Sequence, residues 1–241
     1  MKKIVIWILV ILLVGYIALK GFLYIKYSGV STTKVEFKDY IFISDARECC
    51  PCECKTEECN ETCCECKGYI TYKEFKIKDI FEGYEKEETE SGLRYTYRTE
   101  EGVEKAILIG IDDTFINRVI NSKDLCVSKF KRILKDNNIE NDLDLLKYYE
   151  VHGDDKVSPL MTISKQSEIY IMKYVNSIML PSIKYVNEIS GGYKGYMLNT
   201  GDQIHEVNLL LNDKKYYITF IGDYDLEFIE DTLDKVIIDE K

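Results

Sequence analysis

The chain has few of the residues from which enzyme sites and nucleic-acid interfaces are usually built. Its 241 residues include only two histidines, one tryptophan and three prolines. No His-Glu-x-x-His zinc motif, no Gly-x-Ser-x-Gly nucleophile motif and no phosphate-binding loop occurs. Acidic residues outnumber basic ones, with 42 Asp and Glu and 32 Lys and Arg, which gives a net charge of −10. We therefore expect no nucleic-acid partner, and no catalytic motif indicates an enzyme.

The N-terminus holds a long apolar segment. Sixteen uncharged residues run from Ile4 to Leu19, and after Lys20 the apolar character continues to Ile25. As a helix, Ile4 to Ile25 would be roughly 33 Å long, which matches a hydrocarbon core of about 30 Å. We therefore predict a transmembrane anchor at residues 1–27, which contacts the lipid bilayer through residues 4–25, and a linker at residues 28–33.

A cleaved signal peptide is the alternative interpretation of this segment. The basic start fits a signal peptide, but the apolar run is long for one and no small-residue cleavage site follows it. The short N-terminal tail carries Lys2 and Lys3, which favours an N-terminus inside the cell, although basic residues flank both ends of the helix almost equally. We expect a single-pass protein of the cell membrane with an extracytoplasmic domain at residues 34–241.

The cysteines are distributed very unevenly. Eight of the nine lie in one eighteen-residue segment, the cysteine window, within a predicted loop at residues 45–68: Cys49, Cys50, Cys52, Cys54, Cys59, Cys63, Cys64 and Cys66. The cysteines at 49, 50 and 52 repeat at an offset of fourteen as those at 63, 64 and 66. Thiols at this density pair with each other, bind metal or react, and the redox compartment decides which.

Two chemistries fit the cysteine window. An extracytoplasmic location favours disulfides, and an even number allows all eight cysteines to pair. Alternatively, the two C-x-x-C pairs, Cys49 with Cys52 and Cys63 with Cys66, could supply a tetrahedral four-cysteine site for zinc or iron, and the other four could supply a second. We favour the disulfide-stapled loop, with Zn as the candidate cofactor of the alternative. Cys126 is left over, and we expect it to be a buried free thiol.

The rest of the chain alternates between strand-like and helix-like stretches. Seven stretches are predicted to be strands: Lys34–Ser44, Gly68–Ile80, Leu93–Arg98, Val103–Asp112, Tyr193–Asn199, Gln203–Leu211 and Lys215–Ile221. Four have helical spacing: Asp124–Lys135, Asp142–Glu150, Lys165–Leu180 and a last segment that begins at Asp223 or Asp225 and includes Val236. Asn141 and Ser164 are the expected N-caps of the second and third of these helices.

This order of elements predicts an α+β fold. Consecutive hairpins indicate an antiparallel sheet, which the helices would cover, with the cysteine window inserted between the first two strands. From Gly68 to Asp239 the element order resembles that of the PsbP-type α/β/α sandwich. The resemblance lies in the order of elements alone, so it implies a fold and no function.

A few residues outside the cysteine window could take part in ligation or proton transfer. His152 is close to Asp154 and Asp155, and His205 precedes Glu206. Histidine beside carboxylates can bind metal or transfer protons. The structural alternative is that His152 stabilises the C-terminus of a helix and that His205 lies on the solvated face of a strand.

The function that we expect is non-enzymatic. The sequence favours a membrane-anchored binding or accessory protein of the cell surface, and its high content of Lys, Ile, Asn and Tyr is typical of an AT-rich bacterial genome. Metal binding or sensing through the cysteine window is the first alternative. The second is an enzyme whose site is assembled from the scattered residues Asp154, Asp155, His205 and Glu206.

Overall fold

The computed structural model describes residues 2–30, 32–43, 69–100, 102–123, 127–180, 182–201 and 203–238. Within these residues there are six helices: α1 (Lys2–Ser28), α2 (Phe115–Asn121), α3 (Val127–Asp136), α4 (Asp142–His152), α5 (Ile163–Met179) and α6 (Leu226–Leu233). The same residues contain eleven strands: β1 (Phe37–Ile43), β2 (Tyr69–Tyr72), β3 (Phe75–Lys78), β4 (Glu85–Thr89), β5 (Gly92–Thr99), β6 (Gly102–Asp113), β7 (Ile183–Gly191), β8 (Lys194–Thr200), β9 (Ile204–Leu211), β10 (Lys214–Ile221) and β11 (Val236–Ile238). The predicted α+β class, with an apolar N-terminal helix and a large sheet, is confirmed.

The chain divides into two units, each made of two separate stretches. The first contains Met1–Val35 and Phe115–Ser182, and the second contains Glu36–Thr114 and Ile183–Lys241. Helices α1 to α5 therefore belong to the first unit, and the described strands, together with α6, belong to the second. The helical segment between β6 and β7 is thus an insertion in the sequence of the sheet-containing unit.

Helix α1 is apolar and exposed over most of its length. All residues from Ile4 to Leu19 are exposed, and the stretch Ile4–Ser28 is long and apolar enough to cross a membrane. Partial burial begins at Lys20 and recurs at Leu23 and Tyr27, a spacing that places these three residues on one side of the helix. Since α1 packs against α5, the partly buried end of α1, from Lys20 onward, is where the helix contacts the rest of the first unit.

The end of α1 is joined to α5 by aromatic stacking. The ring of Tyr27 lies on the ring of Tyr170, with centroids 4.2 Å apart and planes 21° from parallel. Tyr170 in turn stacks on Tyr174, one turn further along α5, at 6.3 Å. Offset stacking of this kind stabilises a contact by about 0.5–1.5 kcal/mol beyond the area that it buries.

The segment that follows α1 is fastened to the first unit by hydrogen bonds. Asn176 of α5 is fully buried, and its Oδ1 accepts a hydrogen bond from the Thr33 backbone N–H at 2.8 Å, while its Nδ2 donates to the Thr33 carbonyl at 3.0 Å. We call this pair the Thr33–Asn176 clasp. Next to it, Thr32 Oγ1 donates to the Gly153 carbonyl at 3.0 Å, and Val35 is fully buried.

Capping residues set the starts of two helices in the first unit. Asn141 caps α4 as expected, because its side chain accepts from the N–H groups of Leu143 and Asp144 while the Asp144 carboxylate accepts from the Asn141 N–H. Helix α5 begins after Thr162, whose Oγ1 accepts from the Lys165 N–H. The expected cap at Ser164 is therefore wrong, since Ser164 lies within the helix.

The described residues of the second unit form two sheets. The larger has eight strands in the order β1-β7-β8-β9-β10-β6-β5-β4, and the smaller has three in the order β11-β3-β2. All pairings are antiparallel except that of β1 with β7, which is parallel. Apolar residues of both sheets and of α6 form one core, whose fully buried members include Ile41, Phe75, Ile77, Ile107, Val207, Ile218, Phe220 and Ile229.

Several elements differ from the sequence prediction. Gly68–Ile80 is predicted as one strand, but it contains the hairpin β2–β3, whose turn has Lys73 at φ 55° without the usual glycine or asparagine. Strand β4 is not predicted, because four of its five residues are charged. Helix α2 and strand β7 are also not predicted, and Val236 begins strand β11 instead of extending the last helix.

A buried carboxylate connects two helices of the first unit. Asp142, in the first turn of α4, is fully buried and accepts hydrogen bonds from the backbone N–H groups of Phe115 and Ile116 at 2.6 and 2.8 Å. These N–H groups begin α2, where they have no partner inside the helix, and the negative charge is favourable there.

We expect Asp142→Asn to lower the free energy of unfolding by about 1–3 kcal/mol. The amide offers one acceptor oxygen in place of two, and its NH2 group faces a backbone donor. Urea denaturation of the full chain in detergent, followed by circular dichroism, measures the change. Asp136→Asn is the matched control, because Asp136 is exposed and should shift the free energy by less than about 0.5 kcal/mol. Equal effects of both substitutions would contradict the role of Asp142.

Candidate functional site

All nine cysteines lie outside the described residues, so the predicted disulfides and the predicted metal site stay predictions. The strands on either side of the cysteine window are described. β1 ends at Ile43 in the eight-stranded sheet, and β2 begins at Tyr69 in the three-stranded sheet. The cysteine window therefore joins strands of two different sheets, and these strands are not partners in a hairpin.

His152 and Asp155 lie together at the end of α4. His152 Nδ1 is 3.2 Å from Asp155 Oδ2, and both side chains are nearly half exposed. Asp154 does not join this pair. Its Oδ2 lies 3.9 Å from the Lys34 Nζ, and both side chains are exposed. An exposed ion pair contributes little to stability, and one histidine with one carboxylate lacks the further ligands that a zinc site requires.

The ring of Tyr148 packs against His152, with centroids 4.6 Å apart. Burial, assisted by the negative charges of Glu168 and Asp155, raises the pKa of Tyr148 to about 12. Its hydroxyl is therefore protonated at neutral pH and can donate a hydrogen bond. A shallow depression beside these side chains is also lined by Thr32, Tyr149, Gly153, Ile169, Met172 and Lys173. Among the described residues, this depression offers polar contacts to a small ligand but no set of metal ligands.

A row of hydrogen-bonded polar groups, three side chains and one backbone carbonyl, crosses four neighbouring strands of the eight-stranded sheet. Asn187 of β7 donates from Nδ2 to the Asp39 carbonyl of β1 at 2.7 Å. Asn199 of β8 donates from Nδ2 to Asn187 Oδ1 at 2.8 Å, and its Oδ1 lies 2.6 Å from His205 Nδ1 on β9. Both asparagines are buried, with 4% and 1% of their surface exposed. We call these four residues the polar row.

The direction of every hydrogen bond in the polar row follows from its β1 end. A backbone carbonyl only accepts, so Asn187 must present its NH2 group to Asp39 and its oxygen to Asn199. Asn199 must then present its NH2 group to Asn187 and its oxygen to His205. His205 Nδ1 therefore carries a hydrogen and donates it, and in the neutral ring the lone pair is left at Nε2.

Burial lowers the pKa of His205 below its usual value of 6.5, because a partly desolvated imidazolium ion is disfavoured. At neutral pH the ring is neutral, and Nε2 is able to accept a proton or bind a metal ion. A single imidazole is not a metal site, however, and within the part of the chain that the structure describes no group of three or more His, Cys, Asp or Glu could hold a metal ion.

The side chains of Glu206 and His205 have different hydrogen-bond partners. Successive residues of a strand point to opposite faces of the sheet. Glu206 Oε1 accepts from Lys215 Nζ on β10 at 3.2 Å, and the Lys215 side chain is only 8% exposed. Thus His205 belongs to the polar row on one face of the sheet, and Glu206 forms an ion pair on the other face.

The two outer strands of the eight-stranded sheet have different surfaces. On β1, Tyr40 and Phe42 are 70% and 68% exposed and alternate with the buried Ile41 and Ile43. On β4, four of the five residues are charged and exposed, which is a common protection of a sheet edge against pairing. Adjacent exposed aromatic rings are instead typical of a contact surface.

No protein-family model, no curated protein and no solved structure matches this chain.

Sequence reasoning finds His205 but not the residues that set its chemistry. Asn187 lies in a strand that is not predicted, and Asn199 lies at the end of a predicted strand as an ordinary polar residue. A signal was present, because asparagine is depleted in strands and an asparagine inside an apolar run needs a hydrogen-bonding partner when it is buried.

The lowered pKa of His205 predicts a loss of stability in acid. The unfolded chain binds the histidine proton near pH 6.5, whereas the folded protein binds it only at lower pH, so between these values the unfolded state holds more protons and the free energy of unfolding falls as pH falls. We expect this fall, measured by urea denaturation at about pH 7.5 and about pH 5.5, to be smaller in His205→Asn, which keeps an N–H donor for Asn199.

His152→Asn is the control for this measurement. It removes the exposed histidine and should keep most of the wild-type difference between the two pH values. A pH dependence that His205→Asn leaves unchanged would show that another group causes it.

Proposed function

We propose that this protein is a single-pass membrane protein whose extracytoplasmic domain is a binding or accessory module of the cell surface. The main support for this proposal is that α1 has a long exposed apolar part and a shorter end that packs on the protein. Its residues from Ile4 to Leu19 are uncharged and exposed, which in water would leave a large apolar surface without cover. A bilayer supplies that cover, since the stretch has the length and composition of a membrane span.

The packing of α1 supports a retained anchor over a cleaved signal peptide. Removal of α1 would also remove Tyr27, whose ring covers Tyr170. The Thr33–Asn176 clasp follows within a few residues. A segment that is cleaved off needs no such contacts with the mature protein.

We propose the same boundaries as the sequence predicts: an anchor at residues 1–27, a linker at 28–33 and a domain at 34–241. The PsbP-like element order of the domain stays a prediction and implies no function.

Binding is favoured over catalysis by the surroundings of the candidate residues. Among the described residues, amide and backbone groups orient His205 and no carboxylate does, and His152 has one exposed carboxylate. Neither arrangement provides the nucleophile, base and orienting group of a catalytic triad. Tyr40 and Phe42, in contrast, offer an exposed aromatic surface on β1, at the end of the strand that leads into the cysteine window.

We further propose that disulfides hold the cysteine window together. It belongs to a connection with few apolar residues apart from cysteine, and such a segment has no core of its own to fix its shape. Outside the cytoplasm its thiols would oxidise. The alternative is that the window binds zinc or iron through sites of four cysteines each, in which case metal binding is the function.

Thiol labelling of intact cells tests both the orientation and the cross-links. We use Cys126→Ser, so that only the eight thiols of the window are counted, and a membrane-impermeant maleimide followed by intact-mass measurement. The proposal predicts a mass increase for eight labels after an impermeant reductant is added outside, no labels without it, and a chain that still carries α1.

Other outcomes of this experiment have definite meanings. Labelling that requires permeabilised cells would place the domain in the cytoplasm and contradict the orientation. Eight labels without reductant or chelator would contradict the disulfides. Labelling that a chelator releases, together with at least about one equivalent of zinc or iron in the purified protein, would support the metal alternative.

A further inference from the structure

Leu160 is the most exposed large apolar side chain in the described part of the chain, with 92% of its surface exposed. It lies in the loop between α4 and α5, in the sequence Ser158-Pro159-Leu160-Met161, just before α5 begins at Ile163. An isolated exposed leucine is common in soluble proteins. Its significance here depends on where α5 lies relative to the membrane span.

The course of the chain along α5 indicates that relation. Tyr27 stacks on Tyr170, and six residues later Thr33 is bonded to Asn176, which is also six residues further along α5. The chain therefore advances toward the C-terminus of α5 as it leaves α1. A helix α1 that runs in the same direction places Ile163 beside Lys20, since each lies seven residues, or about 10 Å of helix, before the stacked tyrosines.

The partly buried side of α1 fits this arrangement. Lys20, Leu23 and Tyr27 are partly buried, and α1 packs on α5. The Lys20 amine also lies over the Tyr16 ring of its own helix, 5.5 Å from the centroid. Lys20 directly follows the sixteen uncharged residues, and the apolar character of the chain ends at Ile25. The beginning of α5 would therefore lie where the span meets the headgroups, and the preceding loop would point toward the bilayer.

We propose that the loop Ser158–Met161 is a second membrane contact, in which Leu160 enters the interfacial layer of the bilayer that α1 crosses. The inference rests on the proposed membrane anchor. Apolar side chains at such a depth lie about 5–10 Å into the boundary between headgroups and acyl chains. Lys156, exposed just before the loop, can reach lipid phosphates, whereas the exposed Lys165 after the loop pairs with Glu168 at 2.9 Å. With two points of attachment, the first unit is held at a fixed orientation on the membrane surface.

Tryptophan fluorescence in vesicles tests this contact. The chain has a single tryptophan, Trp7 in α1, so the full chain carrying Trp7→Phe and Leu160→Trp reports on the loop alone. In vesicles of phosphatidylcholine and phosphatidylglycerol whose acyl chains are brominated near the headgroup, the proposal predicts blue-shifted emission that is quenched about twofold or more.

Ile178→Trp in the same Trp7→Phe background is the matched control. Ile178 is also an exposed apolar residue of α5, but it lies about 22 Å further along the helix than Ile163. Its tryptophan should not be quenched. Quenching of Ile178→Trp without quenching of Leu160→Trp would mean that α1 and α5 are antiparallel, and it would overturn the proposal, as would absence of quenching in both.

The unaltered chain separates this inference from the proposed anchor. Quenching of Trp7 by the brominated lipid shows that α1 is inserted, so quenched Trp7 with an unquenched Leu160→Trp refutes the loop contact alone, whereas unquenched Trp7 refutes the anchor as well. Should Leu160→Trp fail to fold, photoactivatable lipid provides a second measurement on the wild-type chain. Lipid attached to the peptide that contains Leu160 supports the contact, and lipid attached to α1 but not to this peptide refutes it.

Discussion

The two hydrogen bonds between the Asn176 side chain and the Thr33 backbone determine how the apolar helix is connected to the rest of the first unit. A buried amide that accepts from and donates to the same residue has a partner for both its oxygen and its nitrogen. Loss of either bond would leave a buried group without a partner, at a cost of about 1–3 kcal/mol. Because the Tyr27–Tyr170 stack lies just before this clasp, the last turns of α1 are part of the folded unit and not a tether to it.

The same use of asparagine recurs in the second unit, where it sets the chemistry of a histidine. A backbone carbonyl fixes the orientation of the Asn187 amide, which fixes that of Asn199, which in turn fixes the tautomer of His205. The result is a neutral imidazole with a defined tautomer inside a sheet whose other buried positions are mainly apolar. In both units, buried asparagine side chains fix positions that hydrophobic packing alone would leave adjustable.

Patterns with a strong periodic signal could be predicted from the sequence, and contacts between distant residues could not. The apolar run of α1, the Asn141 cap and the β5–β6 hairpin are local features, and each is present as predicted. The β2–β3 turn and strand β4 were not predictable, because Lys73 adopts a positive φ without a turn residue and β4 is almost entirely charged. Thr33, the partner of Asn176, lies 143 residues away in the chain, and Asn187, which orients Asn199 toward His205, lies in a strand that was not predicted. His205 and Glu206 are adjacent in the sequence, but their side chains bond to different partners.

Amide hydrogen exchange at Thr33, in the full chain reconstituted in lipid nanodiscs, tests most directly whether α1 is built into the first unit. The Thr33 N–H donates to Asn176 inside the protein, so we predict exchange at least about 100-fold slower than in an unstructured chain of the same sequence. Asn176→Ala should remove that protection while α5 stays helical. Exchange of the wild-type Thr33 amide at the rate of an unstructured chain would contradict the clasp and leave α1 as a flexible tether.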